Sequence, residues 1–217
     1  MVHEIAAVIL AGGRSSRLGA FKPLVRLAGK PLICYSLEIA SFTSEPYIIV
    51  SNSAQSEAIM EVIGKKRAKI IVESKERVEE AEDHDTYHNN EENKDRPLHF
   101  TSAISRVYED LIFLMACDTP FLDPLLPKLL SLHIGDSSAV VPAWPNGYLE
   151  PLAALYRKEP LSKMNSATTF RDLLFKIGAR TVAIEILGVS PESFLNINTP
   201  SDLERAEAFL RKRNKEI

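Results

Sequence analysis

Two stretches of this chain carry the residue types that handle phosphate. The first is Leu10-Ala11-Gly12-Gly13-Arg14-Ser15-Ser16-Arg17-Leu18-Gly19, with Lys22 three residues further on. Adjacent glycines let a backbone approach an anion closely, consecutive amides can cradle phosphate oxygens, and Arg14, Arg17 and Lys22 add charge-assisted donors. Such a loop suits a polyphosphate. It is not a Walker A loop, because no Gly-Lys-Ser/Thr follows, and it lacks the Gly-x-Gly-x-x-Gly spacing of a dinucleotide fingerprint. Kinase and dehydrogenase readings therefore lose ground. The second stretch is Ala116-Cys117-Asp118-Thr119-Pro120-Phe121. A carboxylate at the mouth of a buried strand is placed to hold Mg²⁺ against phosphate oxygens, and Pro120 ends the strand behind it. Cys117 reads as a buried small residue, since no histidine is marked out in sequence to activate it.

Both stretches follow apolar runs, Ile5 to Ala11 and Leu111 to Cys117, which have the pattern of parallel strands buried on both faces. In an open α/β sheet ligands sit outside the carboxyl ends of such strands, so the two loops are expected at one edge. Between them the pattern predicts a helix from Pro31 to about Ala40, a strand at Tyr47 to Val50, a helix over Ala54 to Gly64 and a strand at Lys69 to Glu73. Beyond Thr101 it predicts a helix leading into Leu111, a helix over Leu125 to Leu132, extended segments at Ala139 to Val141 and Leu152 to Tyr156, and a helix around Phe170 to Ile177. Strands are expected near Thr181 to Ile184 and Phe194 to Ile197. A last helix follows Thr199-Pro200, with Thr199 as its N-cap and Asp202 in its first turn. Strands alternating with helices imply a mostly parallel sheet.

The chain has 217 residues and a net charge of −3, with 45% hydrophobic residues, enough for one α/β domain with a sizeable core. Glu73 to Arg96 departs from this average: ten acidic and four basic side chains in 24 positions, a net of −6, leave +3 on the rest. With so few apolar residues it reads as a mobile acidic insert at 74–95; His84 and His88 lack a third ligand for a metal site. The near-neutral balance gives no bulk reason to expect nucleic acid or a membrane as partner. Neither apolar run approaches the roughly 20 residues of a spanning helix, and Met1-Val2-His3-Glu4 lacks the basic start of a signal peptide. Two distant cysteines, Cys34 and Cys117, suit a reducing cytoplasm better than a disulfide framework.

These residues resemble the nucleoside-triphosphate transferases, and among them the molybdenum cofactor guanylyltransferases. The likeness runs through Leu10 to Gly19, Lys22-Pro23-Leu24, Gly29-Lys30-Pro31-Leu32, Cys117-Asp118-Thr119-Pro120-Phe121-Leu122, Glu150-Pro151-Leu152-Ala153-Ala154-Leu155-Tyr156 and Asn196-Ile197-Asn198-Thr199-Pro200-Ser201-Asp202-Leu203. The resemblance implies a single three-layer, Rossmann-like nucleotidyltransferase domain over residues 1–217. It also implies transfer of GMP from GTP to molybdopterin cofactor with release of pyrophosphate. By the same resemblance Leu10, Ala11, Gly12, Gly13, Arg14 and Lys22 bind GTP, Asp118 binds GTP and Mg²⁺, and Asn196 and Asn198 line the cleft. Ser51 or Asn52 and Glu73 would contact the nucleoside. Lys22, Arg17 and Asp118 are the candidate catalytic residues, Mg²⁺ is the expected cofactor, and GTP, molybdopterin and other cofactor-biosynthesis proteins are the expected partners. The chain departs from the family at its usual Gly-Pro-Leu-x-Gly, where Arg96-Pro97-Leu98-His99-Phe100 stands after the acidic insert. Arg and Phe adopt the positive φ open to glycine only reluctantly. Two other readings stay open: cytidylyl or other nucleotidyl transfer to a different phosphorylated acceptor, and a nucleotide-binding accessory protein without turnover.

Overall fold

Ile5–Leu10 forms the first strand, β1, with Ala6, Ala7, Val8 and Ile9 entirely buried; a strand with no polar face must be covered on both sides. The computed structural model describes residues 4–12, 18–73, 100–163 and 169–213, so the 74–95 insert, with His84 and His88, lies outside the described residues. After β1 come a 3₁₀ turn at Lys22–Leu24, β2 (Arg26–Leu27), β3 (Lys30–Pro31), α1 (Leu32–Ala40), β4 (Tyr47–Val50), α2 (Ser53–Ile63) and β5 (Lys69–Val72). Then follow α3 (Thr101–Ile104), β6 (Leu111–Ala116), α4 (Leu126–Ser131), β7 (Ala139–Ala143), β8 (Ala153–Arg157) and α5 (Lys158–Ser162). The chain ends with α6 (Phe170–Lys176), β9 (Arg180–Ala183), α7 (Ile184–Leu187), a 3₁₀ turn at Pro191–Phe194 and α8 (Pro200–Arg213).

The main sheet has seven strands in the order β5-β4-β1-β6-β8-β7-β9. It is parallel except at β8, which runs against both β6 and β7. From β1 the chain steps outward to β4 and β5, then returns to place β6 on the other side of β1. That reversal is the topological switch point at which α/β sheets bind ligands. The loops leaving β1 and β6 flank it.

Alternation along the two central strands creates the layers. Ala7, Ile9, Phe113 and Met115 join one core with residues of α1, α2 and α4, including Ile33, Leu37, Ile59 and Leu130. Ala6, Val8, Ile112 and Leu114 join the opposite core with Ile104, Leu161, Leu173 and Leu174 of α3, α5 and α6. A smaller third cluster packs Leu27, Leu32, Phe121, Ile197 and Ala206 together, with Phe209 edge-on to Phe121 at 4.9 Å. It ties α8, the hairpin and the loop after β6 to one another.

Three local expectations need correction, and one element is additional to them. Phe194 to Ile197 is not a strand: Pro191 opens a 3₁₀ turn, and the chain beyond it is irregular. Ile184 begins α7 instead of ending β9, and the helix expected from Thr101 to Leu111 stops at Ile104. The β2–β3 hairpin was not foreseen, although Ala28-Gly29 is its signal: both take positive φ, 49° and 81°, as a two-residue hairpin turn of type I′ requires. The start of α8 is as expected. Asp202 accepts from the amides of Asn198 and Thr199 at 3.1 and 2.9 Å, and its own amide donates to Thr199 Oγ1 at 3.2 Å. No described helix is long and apolar enough to cross a membrane.

Candidate functional site

The ends of β1, β4, β5 and β6 are brought level by three amides that carry the sheet one step further. Ala11 donates to the Ile49 carbonyl at 2.9 Å, Cys117 to that of Leu10 at 3.2 Å, and Glu73 to that of Val50 at 2.8 Å. Gly12, Ser51, Glu73 and Asp118 therefore leave the sheet at one edge. The Leu10 carbonyl and the Ala11 amide are committed to the sheet, so these two residues shape the floor of the site through their backbone. Gly12 is held against β4 so closely that a Cβ would lie 2.6 Å from Ser51 Oγ and 3.4 Å from its amide nitrogen. A side chain at position 12 would have to displace the Ser51 hydroxyl, so the glycine lets the two chain ends approach with Ser51 in its present rotamer. Gly13, Arg14 and Arg17 lie outside the described residues.

At the switch point the fold gathers Lys22, Asp118 and Asn198 from three remote segments. Lys22 Nζ donates to Asp118 Oδ2 at 2.7 Å and to Asn198 Oδ1 at 2.6 Å. The Lys22 and Asp118 side chains are only 19% and 15% exposed, so their attraction is screened less than that of a surface pair. The Asn198 segment is fixed against the loop after β6, because the Ile197 amide donates to the Asp118 carbonyl at 2.9 Å. Asp118 Oδ1 is buried and has no hydrogen-bond partner. An orphaned carboxylate oxygen at a strand mouth costs free energy.

The remaining candidates are placed less centrally. Asn52 caps α2, its side-chain oxygen accepting from the Gln55 amide at 2.9 Å, and the Ser51 amide donates to Gln55 Oε1 at 2.9 Å. Asn52 thus has a structural duty as the N-cap of α2. Asn196 is exposed and donates to the Phe194 carbonyl at 3.3 Å. Cys117 is buried, and burial, with Asp118 beside it, pushes its thiol pKa far up, so it stays a neutral packing residue.

Sequence reasoning gave no role to Trp144 and Glu150. The Trp144 indole N–H donates to Glu150 Oε1 at 2.7 Å, and its ring meets Phe194 edge-on at 5.8 Å. Burial raises the Glu150 carboxyl above its ordinary range, opposed by the indole hydrogen bond. Glu150 stands in the quoted Glu-Pro-Leu segment, but its indole partner six residues earlier belongs to no motif. Phe100 resolves part of the departure from the family pattern. Its φ is −90° with ψ 1°, and it is buried against Phe170 with centroids 5.9 Å apart, so the backbone there needs no glycine.

A seven-stranded, mostly parallel sheet that gathers a lysine, a carboxylate and a carboxamide at its switch point defines an α/β protein of the ligand-binding kind. The model of the MobA-like NTP transferase domain matches residues 7–181, and the chain belongs to that family of nucleotidyltransferases. The "Probable molybdenum cofactor guanylyltransferase" of Thermococcus kodakarensis is 31% identical, with 91% of each chain covered. That of Natranaerobius thermophilus is 26% identical over 98% of this chain and 99% of the relative. The crystal structure of molybdopterin-guanine dinucleotide biosynthesis protein A from Archaeoglobus fulgidus superposes with a TM-score of 0.72. It is 24% identical and covers 95% of this chain and 99% of that one.

Proposed function

We propose that this nucleotidyltransferase transfers GMP from Mg²⁺-bound GTP to the terminal phosphate of molybdopterin, forming the guanine dinucleotide cofactor and pyrophosphate. The observation that carries the reading is the Lys22–Asp118–Asn198 constellation at the switch point. Its donor set fits magnesium: Asp118 Oδ1 is a hard, buried, unpartnered oxygen. The described residues contain no group of three acidic, histidine or cysteine side chains that could hold a metal alone. Magnesium on nucleotides needs no such cage, since one or two carboxylates and the phosphates complete its shell.

Asp118 would hold the ion, which supplies charge neutralisation and orientation to the triphosphate. Lys22, freed from Asp118 Oδ2, offsets negative charge on the α-phosphoryl group and the departing pyrophosphate, while Asn198 fixes the lysine's approach. Gly12 and Ser51 bring the β1 and β4 chain ends close enough for backbone to meet the nucleotide. No covalent intermediate on the protein is needed, because the acceptor phosphate itself is the nucleophile. The two buried, unpaired cysteines suit a reducing compartment such as the cytoplasm.

Calorimetric titration with each nucleoside triphosphate in Mg²⁺ tests the donor assignment. GTP is expected to bind at least tenfold more tightly than ATP, CTP or UTP. A preference for CTP would move the reading to cytidylyl transfer, and no binding of any triphosphate would overturn it.

A further inference from the structure

The edge of the sheet has a second half that the phosphate chemistry leaves unused. β7 runs parallel to β6, so Trp144, directly after β7, leaves the sheet on the same edge as Asp118. Trp144 and Phe194 line an open recess of about 390 Å³ with Leu195, Asn196 and Arg205. One segment of chain ties the wall of the recess to the Lys22–Asp118 pair: Asn196 lines the recess, the Ile197 amide donates to the Asp118 carbonyl, and Asn198 Oδ1 accepts from Lys22.

We propose that Trp144 is the residue on which the acceptor's planar ring system is seated, and that Glu150 is a positioning residue that fixes the plane of the indole. This rests on the reading of the reaction as transfer to a phosphorylated heterocyclic acceptor. Trp144 is partly exposed, yet its orientation is set before any ligand arrives, by the 2.7 Å bond to Glu150 and the edge-on contact with Phe194. A preset aromatic wall lowers the ordering cost of binding. Stacking tolerates many rings but demands a flat one, and the exposed carboxamide of Asn196 and guanidinium of Arg205 offer donors to carbonyl groups on its rim. The residues assigned above to the nucleotide, Gly12 and Ser51, follow β1 and β4, on the side of Asp118 opposite to Trp144, which follows β7.

Trp144 is the only tryptophan in the chain, so ¹⁵N-labelled protein gives a single indole N–H resonance that reports on the recess directly. Molybdopterin is expected to shift it saturably, and GTP alone to leave it in place. In kinetics, Trp144→Leu should raise the KM for molybdopterin by about 10- to 100-fold, the size of one stacking contact, with kcat and GTP affinity within twofold of wild type. Glu150→Leu should raise the same KM, whereas Glu150→Gln, whose amide oxygen still accepts from the indole, should restore it. An indole resonance unmoved at saturating molybdopterin, or an unchanged KM in Trp144→Leu, would overturn the proposal. Failure of the reaction reading is separate: it shows as wild-type protein that makes no pyrophosphate, while the resonance on unaltered protein still decides the recess.

Discussion

Asp118→Asn is expected to lower the Mg²⁺-dependent transfer rate by about 10³-fold, because metal neutralisation of a phosphoryl group is worth several kcal/mol and Asp118 carries the orphaned oxygen that would hold the ion. The substitution nearly preserves shape, and the carboxamide oxygen still accepts from Lys22. It does remove the charge from a partly buried pair, so stability should fall by about 1–3 kcal/mol. The metal dependence of binding gives a sharper sign. In Mg²⁺ the Asp118→Asn protein should bind GTP more weakly than wild type, whereas in EDTA it should bind equally or more tightly, because an anion facing the triphosphate has been removed. Rates and affinities unchanged in both conditions would remove Asp118 from the site.

Lys22→Ala should divide its effect unequally between binding and rate. In the free protein the ammonium already satisfies Asp118 and Asn198, so donation to phosphate exchanges one charge-assisted bond for another. Ground-state affinity for GTP should therefore fall only about tenfold. Charge develops on the leaving pyrophosphate only during transfer, and a preorganised donor lost there costs about 10²- to 10³-fold in kcat. Calorimetry for Kd and steady-state kinetics for kcat separate the two. A lysine whose loss changes Kd and kcat equally little would be a structural tie that holds the Asn198 segment to the loop after β6.

The parts of this site that could be read in sequence are those in which local chemistry and local structure coincide. Ile5–Leu10 and Leu111–Ala116 are apolar throughout, which only doubly covered strands require, and the polar residues just beyond them had to emerge at a ligand-binding edge. Asp118 and Gly12 follow from that placement. The bond between Lys22 and Asn198 spans 176 positions and depends on how α8 and the hairpin pack through Leu27, Phe121 and Ile197, which no periodicity encodes. The run Phe194 to Ile197 looks like a strand because Phe and Ile favour extended backbone, but Pro191 and the demand of Ile197 for the Asp118 carbonyl decide otherwise. Trp144 was hidden for a related reason. Its neighbours Pro145-Asn146-Gly147 read as a turn, and the partner that fixes its ring is Glu150 across that turn.

The most direct test of the account is to incubate the purified protein with Mg²⁺, GTP and molybdopterin and to measure pyrophosphate and the mass of the product together. The expected result is pyrophosphate released one for one with a molybdopterin guanine dinucleotide, and none when either molybdopterin or Mg²⁺ is withheld. GTP that binds without pyrophosphate release in the complete mixture would contradict it and leave the protein a nucleotide-binding accessory without turnover.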